Sequence, residues 1–307
     1  MTTILIFGLG YTASRLATRL RAEGWQVIAT RRAAGPGVLA FDDGNGVRMA
    51  IAAATHILSS VPPDEAGIDP VLRRYGALLT AAPARWIGYL SSTGVYGDAG
   101  GAWVDESAPR GTGRRPARVA ADAAWQALRD DARVFRLPGI YGPGRSALDR
   151  VRAGRAHRVD LPEQVFSRIH IDDIVSGVIA SFDGPPGVYN IADDRPSSQN
   201  AVIEEASRLL RLAPPPLKAV EDASLSPMAR GFYAENRRVA NGKARRLLGW
   251  APRFADYRSG LADCLACSAT NSPASDSRQP TIASGDQRYP SNSVDSPIAS
   301  PGLSTLV

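Results

Sequence analysis

Residues 3–16, TILIFGLGYTASRL, constrain the fold of this chain more than any other stretch. An apolar, β-branched run turns through Gly8-Leu9-Gly10-Tyr11-Thr12-Ala13 into a segment with Leu16 and Leu20 at helical spacing. A strand, a tight turn and a helix in succession set free N–H groups and a positive dipole end beside the strand terminus, which suits phosphate. In that reading Gly8 turns the chain sharply, Gly10 leaves room for a pyrophosphate and Ala13 lets the helix pack close to the strand. Gly8, Gly10, Tyr11, Thr12 and Ala13 are the expected phosphate-binding residues.

The pattern repeats along the chain. Strands are expected at 25–30, 38–41, 55–61, 86–92, 132–137 and 188–192. Helices are expected between them at 47–54, 70–81, 118–129, 174–182, from Ser197 or Ser198 to about Leu212, and at 241–249. Strands and helices alternating at this spacing argue an α/β fold, a Rossmann-type doubly wound parallel sheet. Such a sheet binds ligands beyond the carboxyl ends of its strands, so the hydroxyls of Ser59 and Ser92 are expected to face a cofactor cleft. The second strand ends in Arg31-Arg32, where an acidic residue would hold a ribose and arginine favours a 2′-phosphate. NADP is therefore expected over NAD, unless both arginines are merely solvated.

Regular alternation breaks at residues 144–165, which are polar and arginine-rich. A small C-terminal substrate lobe is expected from 144–165 and 195–267, within a single unit spanning 1–267. From residue 268 the composition shifts to Ser, Pro, Asn, Thr, Ala and Gly without apolar periodicity, so 268–307 is expected to be a disordered tail with no chemistry.

The net charge of +6 arises from 36 basic and 30 acidic residues among 307. The basic residues are nearly all arginine and form no run interleaved with aromatics, which points to anionic small molecules rather than nucleic acid. No stretch has the length of a membrane span and no secretory signal opens the chain, so a cytoplasmic location is expected. Cys264 and Cys267 form one CxxC pair without the second pair that a structural zinc site needs, and no metal is expected.

Taken together, SSTGVYG at 91–97, RLPGIYGPGR at 136–145, RIHIDD at 168–173, YNIADD at 189–194 and LGWAP at 248–252 resemble the extended short-chain dehydrogenase/reductase superfamily, the NAD(P)-dependent epimerases and dehydratases. The resemblance covers residue 2 to about 265. GLGY, GAWVDE at 101–106 and ENRRVAN at 235–241 are similar to its atypical, YeeZ-like branch. The resemblance implies an NAD(P)-dependent oxidoreductase or epimerase/dehydratase acting on a polar small molecule of the nucleotide-sugar kind, and a homodimer.

It also implies that Ser92 hydrogen-bonds the reacting oxygen and that a YxxxK helix follows. Matching RVAAD to the superfamily pattern puts Arg118 at the lysine position and Arg114 at the tyrosine position, so the phenol is missing. Arginine stays protonated near neutral pH and is a poor proton donor or acceptor. Tyr96 and Tyr141, in the two turns that border the cleft, are the candidates to replace the phenol, with packing as their plainer role. Arg114, Arg145 and Arg168 are candidates to grip a substrate phosphate or carboxylate. His170 with Asp172 reads as a base and its orienter, or as sheet support and helix cap; His56 reads as a core residue. The missing tyrosine keeps a second reading open, an NADP-binding sensor without turnover.

Overall fold

The computed structural model describes residues 1–64, 67–111, 115–221, 230–231 and 233–270. The expected tail lies almost wholly outside these; its first residues, 268–270, are the end of a helix. Arg114 also lies outside the described residues.

In chain order the strands are β1 (Thr3–Phe7), β2 (Gln26–Arg31), β3 (Val38–Ala40), β4 (His56–Ser59), β5 (Trp86–Ser92), β6 (Trp103–Val104), β7 (Ala132–Leu137), β8 (Gly139–Tyr141), β9 (Arg158–Val159), β10 (Arg168–His170), β11 (Gly187–Asn190), β12 (Leu217–Lys218) and β13 (Arg238–Val239). The helices are α1 (Tyr11–Ala22), α2 (Gly44–Ala53), α3 (Pro70–Thr80), α4 (Pro116–Leu128), α5 (Ala147–Arg152), α6 (Ile171–Ala180), α7 (Gln199–Leu210), α8 (Gly242–Leu248) and α9 (Tyr257–Thr270).

Seven strands form one parallel sheet in the order β11-β7-β5-β4-β1-β2-β3. The winding reverses between β1 and β4, which opens a crevice at their carboxyl ends. Successive side chains of β1 alternate between the sheet faces. Ile4 and Ile6 pack against Leu16 and Leu20 of α1 and Ile174 and Val178 of α6. Leu5 and Phe7 pack against Val47 and Ile51 of α2, Val71 and Leu79 of α3 and Trp125 of α4. Burial on both faces explains why these strands read as continuous apolar runs.

Trp125 holds α4 to the sheet. Its ring stacks on Tyr89 of β5, with centroids 5.1 Å apart and planes 6° from parallel, and its indole N–H donates to Asp69 Oδ2 at 2.8 Å. On the opposite face His56 is fully buried among Trp25, Trp86 and Phe182, as expected of a core residue, and burial pushes its pKa down to about 4.

A further apolar cluster joins α5, α7 and α9 through Leu148, Ile203, Ala206, Leu261 and Cys264. β10, in the RIHIDD segment, stays outside the main sheet and pairs with β8 in a small parallel sheet of its own. No helix among the described residues is long and apolar enough to cross a membrane.

Candidate functional site

A cleft of about 650 Å³ lies beyond the carboxyl ends of the central strands. Gly10, Tyr11, Thr12 and Ala13 line it at the glycine turn, with Arg145 over the Tyr11 ring; Ser92, Thr93, Arg115 and Arg118 line it beside β5 and α4, and Arg150, Arg168 and Tyr233 line it beyond β8.

In the glycine turn Gly8 adopts φ +83°, and a Cβ there would lie 2.8 Å from Val61 Cγ2. The turn is pinned by Leu9 N–H donating to the Thr30 carbonyl at 3.1 Å and by Ser60 Oγ donating to the Gly8 carbonyl at 2.5 Å. Gly10 faces open space, since a Cβ there would meet nothing within 4 Å. The first N–H groups of α1 have no intrahelical acceptor and no side chain caps them. Free N–H groups, a dipole end and room beside Gly10 fit the pyrophosphate of a dinucleotide. Tyr11 donates its hydroxyl to the Pro143 carbonyl at 3.0 Å beneath the Arg145 guanidinium, and burial pushes its pKa up to about 12.

The other expected cofactor residues are placed differently. Arg31 and Arg32 are exposed at the end of β2, next to the strand carrying the turn but outside the cleft wall. Ser59 is fully buried and its hydroxyl finds no hydrogen-bond partner among the described residues, whereas its neighbour Ser60 lines the cleft. Adjacent residues of an extended chain point to opposite sides, and the expectation for Ser59 was off by one position.

Ser92 ends β5, and its Oγ accepts the Gly94 N–H at 3.1 Å. Arg118 sits in the first turn of α4, on the cleft wall. One turn further on, Asp122 is fully buried and anchors this helix. It accepts hydrogen bonds from Ser91 Oγ at 2.7 Å, Arg136 Nη2 at 2.8 Å, Arg136 Nε at 3.1 Å and Gln126 Nε2 at 2.6 Å.

Tyr96 belongs to this buried network rather than to the cleft. Its hydroxyl donates to Asn190 Oδ1 at 2.7 Å and accepts from Arg136 Nη1 at 3.0 Å. The candidate replacement phenol is therefore held beneath the site by packing and hydrogen bonds. The network of Asp122, Arg136 and Asn190 was not anticipated, although Asp122 stands four residues after Arg118 and Arg136 opens the RLPGIYGPGR motif.

Beyond β8, Arg168 is 8% exposed and donates to the carbonyls of Phe166 and Ser197 at 2.9 and 2.8 Å and to Gln199 Oε1 at 3.2 Å. Tyr141 turns away from the cleft into the α5–α7–α9 cluster, its ring against His170, while Gly139 and Ile140 of the same strand face the cleft.

His170 is fully buried outside the cleft and its Nδ1 accepts the Asp172 N–H at 3.3 Å, which makes it the N-cap of α6. Of the two readings of the His170–Asp172 pair, helix capping is the one His170 takes. Asp172 instead pairs with Arg15, and Asp173 accepts the N–H groups of Arg253 and Phe254 at 2.7 and 3.1 Å. Among the described residues no group of His, Cys, Asp and Glu has metal-site geometry.

No family model matches the chain. A structure of a functionally unknown conserved protein from Silicibacter pomeroyi DSS is 41% identical, with a TM-score of 0.77 over 87% of this chain and 99% of that one. Protein YeeZ of Escherichia coli K12 is 27% identical over 272 residues, covering 78% of this chain and 94% of YeeZ. This likeness to YeeZ supports the resemblance to the YeeZ-like branch of the extended short-chain dehydrogenase/reductases expected from the sequence. MoeE5, solved with UDP-glucuronic acid and NAD, shares the fold of this chain at 20% identity, with a TM-score of 0.70 over 87% of this chain and 99% of MoeE5.

Proposed function

We propose that this protein is a member of the extended short-chain dehydrogenase/reductases and an NADP-dependent reductase or epimerase acting on a polar, anionic small molecule. The observation that carries the reading is a single cleft that joins the glycine turn to Ser92 and Arg118 and continues to Arg150 and Arg168. The backbone of Gly8 to Ala13 would hold the pyrophosphate, and Arg31 and Arg32 the 2′-phosphate. A bound nicotinamide supplies the hydride donor or acceptor. Ser92 orients the substrate oxygen by a hydrogen bond, and Arg118 sets a permanent positive charge that stabilises negative charge there and holds the ribose side. Arg118 itself moves no proton, so the site favours reactions in which charge on the substrate is stabilised rather than quenched by a phenol. The nucleotide-bound MoeE5 supports a nucleotide-sugar as one substrate type.

The absence of a tyrosine from the start of α4 favours one alternative, a protein that binds NADP and reports on it without turnover. A screen of carbonyl and sugar substrates followed by nicotinamide absorbance separates the two. Turnover of any substrate establishes the enzyme; stoichiometric NADPH binding with no turnover across the panel favours the sensor. For the cofactor, NADPH is expected to bind at least about tenfold tighter than NADH, with Arg31→Ala narrowing the gap. Equal affinities in the unaltered protein would remove the NADP assignment.

A further inference from the structure

Two arginines stand beside Tyr11 at the glycine turn, Arg15 and Arg145, and the chain neutralises one of them. Arg15 donates Nε and Nη2 to the two oxygens of Asp172 at 2.6 and 3.0 Å. Arg145 lies exposed on the cleft wall with its Cζ 5.6 Å from the centroid of the Tyr11 ring, and its guanidinium makes no ion pair or hydrogen bond with any described residue.

The backbone that carries Arg145 is fixed on both sides. Gly142-Pro143-Gly144-Arg145 has the make-up of a type II turn, with proline second, Gly144 third at φ +74°, and the Arg145 N–H donating to the Gly142 carbonyl at 3.0 Å. The Pro143 carbonyl takes no part in closing this turn and accepts the Tyr11 hydroxyl at 3.0 Å. Gly142 permits that approach, since a Cβ there would lie 2.7 Å from Tyr11 Oη and 2.5 Å from Ile171 Cγ2. On the other side Ser146 caps α5, its N–H and hydroxyl both donating to Asp149 at 2.7 Å. Arg145 therefore rests on a ring whose own hydroxyl holds the turn from which Arg145 projects.

A pyrophosphate carries more negative charge than a helix end, equivalent to about half an elementary charge, can offset. Residues 8–14 contain no lysine or arginine, and Arg15 is taken by Asp172. Arg31 and Arg32 stand at the end of β2, where they would meet a 2′-phosphate instead. We propose that Arg145 is a ligand of the cofactor's pyrophosphate and that Tyr11 is the residue that positions it. The proposal rests on the reading of the glycine turn as the dinucleotide site, and it gives to the cofactor an arginine expected to grip the substrate. A planar guanidinium offers paired, charge-assisted hydrogen bonds to phosphate oxygens.

NADPH, NADH and ADP-ribose share the pyrophosphate and differ in the 2′-phosphate and the nicotinamide, so calorimetric titration of the full chain with each isolates the group. Arg145→Gln is expected to weaken all three by the same factor, about tenfold or more, with melting temperature retained, and Arg145→Lys to restore part of the loss. Tyr11→Phe is expected to weaken them about threefold in the parent and to add nothing in the Arg145→Gln background, as a residue acting through another must. Equal affinities of the unaltered protein and Arg145→Gln, or a loss confined to NADPH, overturn the assignment of Arg145. The same loss from Tyr11→Phe in both backgrounds overturns the positioning role of Tyr11. If the unaltered chain binds none of the three, the cofactor reading fails and this proposal with it. If it binds NADPH and NADH equally while Arg145→Gln weakens both, the choice of NADP falls and the assignment of Arg145 stands.

Discussion

Gly8 and Gly10 stand two residues apart in one turn and do different work. Gly8 needs its left-handed backbone and has Val61 pressed against the place a Cβ would take, whereas Gly10 needs neither. Gly8→Ala is therefore expected to lower unfolding free energy by about 1–3 kcal/mol in urea titrations. Gly10→Ala is expected to change it by less than about 0.5 kcal/mol while weakening NADPH binding by about tenfold or more, because its methyl group enters the cleft. Asp193 offers a test by pH. Its pKa is raised from 3.8 to about 8, so the folded chain holds a proton that the unfolded chain releases, and stability from this residue falls as pH rises from about 4 to about 8. Asp193→Asn keeps the neutral shape without the ionisation. Its stability advantage over the parent should grow across that window and level off above it; an advantage independent of pH would show that burial of the carboxyl is not the cause.

The elements of the main sheet were legible in the sequence because two-sided burial writes long apolar runs. The strands at 86–92 and 132–137 fall where expected, and the remaining boundaries shift by one to a few residues. The turn after β1 was legible for the same local reason, since its glycines answer to backbone geometry within a few residues. Side-chain direction was not. Ser59, Tyr96 and Tyr141 sit on or beside strands where a shift of one position decides between cleft and core, and no residue type encodes that shift. Long-range partners were equally hidden: nothing near Asp173 in sequence announces that it will hold the backbone at Arg253 and Phe254. Those two bonds fasten the segment after α8 to the first turn of α6, and Asp173→Ala should cost about 2–4 kcal/mol in chemical denaturation. The Asp122–Arg136 pair does the same for α4 and the strands below it. Arg136→Met should cost about 3–5 kcal/mol, with much of the loss recovered when Asp122 is also made apolar.

At the scale of the whole molecule, the reversal of winding between β1 and β4 places the cleft, and the arginine-rich segment after β8 supplies part of its lining. Residues 1–271 form a compact unit by themselves, so a chain ending at residue 270 should match the full chain in melting temperature to within about 2 °C and in NADPH affinity. A larger loss would show that residues beyond 270 take part in folding or binding. The Tyr89–Trp125 stack bears on how such experiments can be read out. Two rings at 5.1 Å and nearly parallel couple their electronic transitions, and one ring rides on the same helix as Arg118 while the other is fixed in the sheet. The pair therefore acts as an internal optical gauge: near-ultraviolet circular dichroism should register any ligand that reseats α4, with no label attached and no substrate identified in advance.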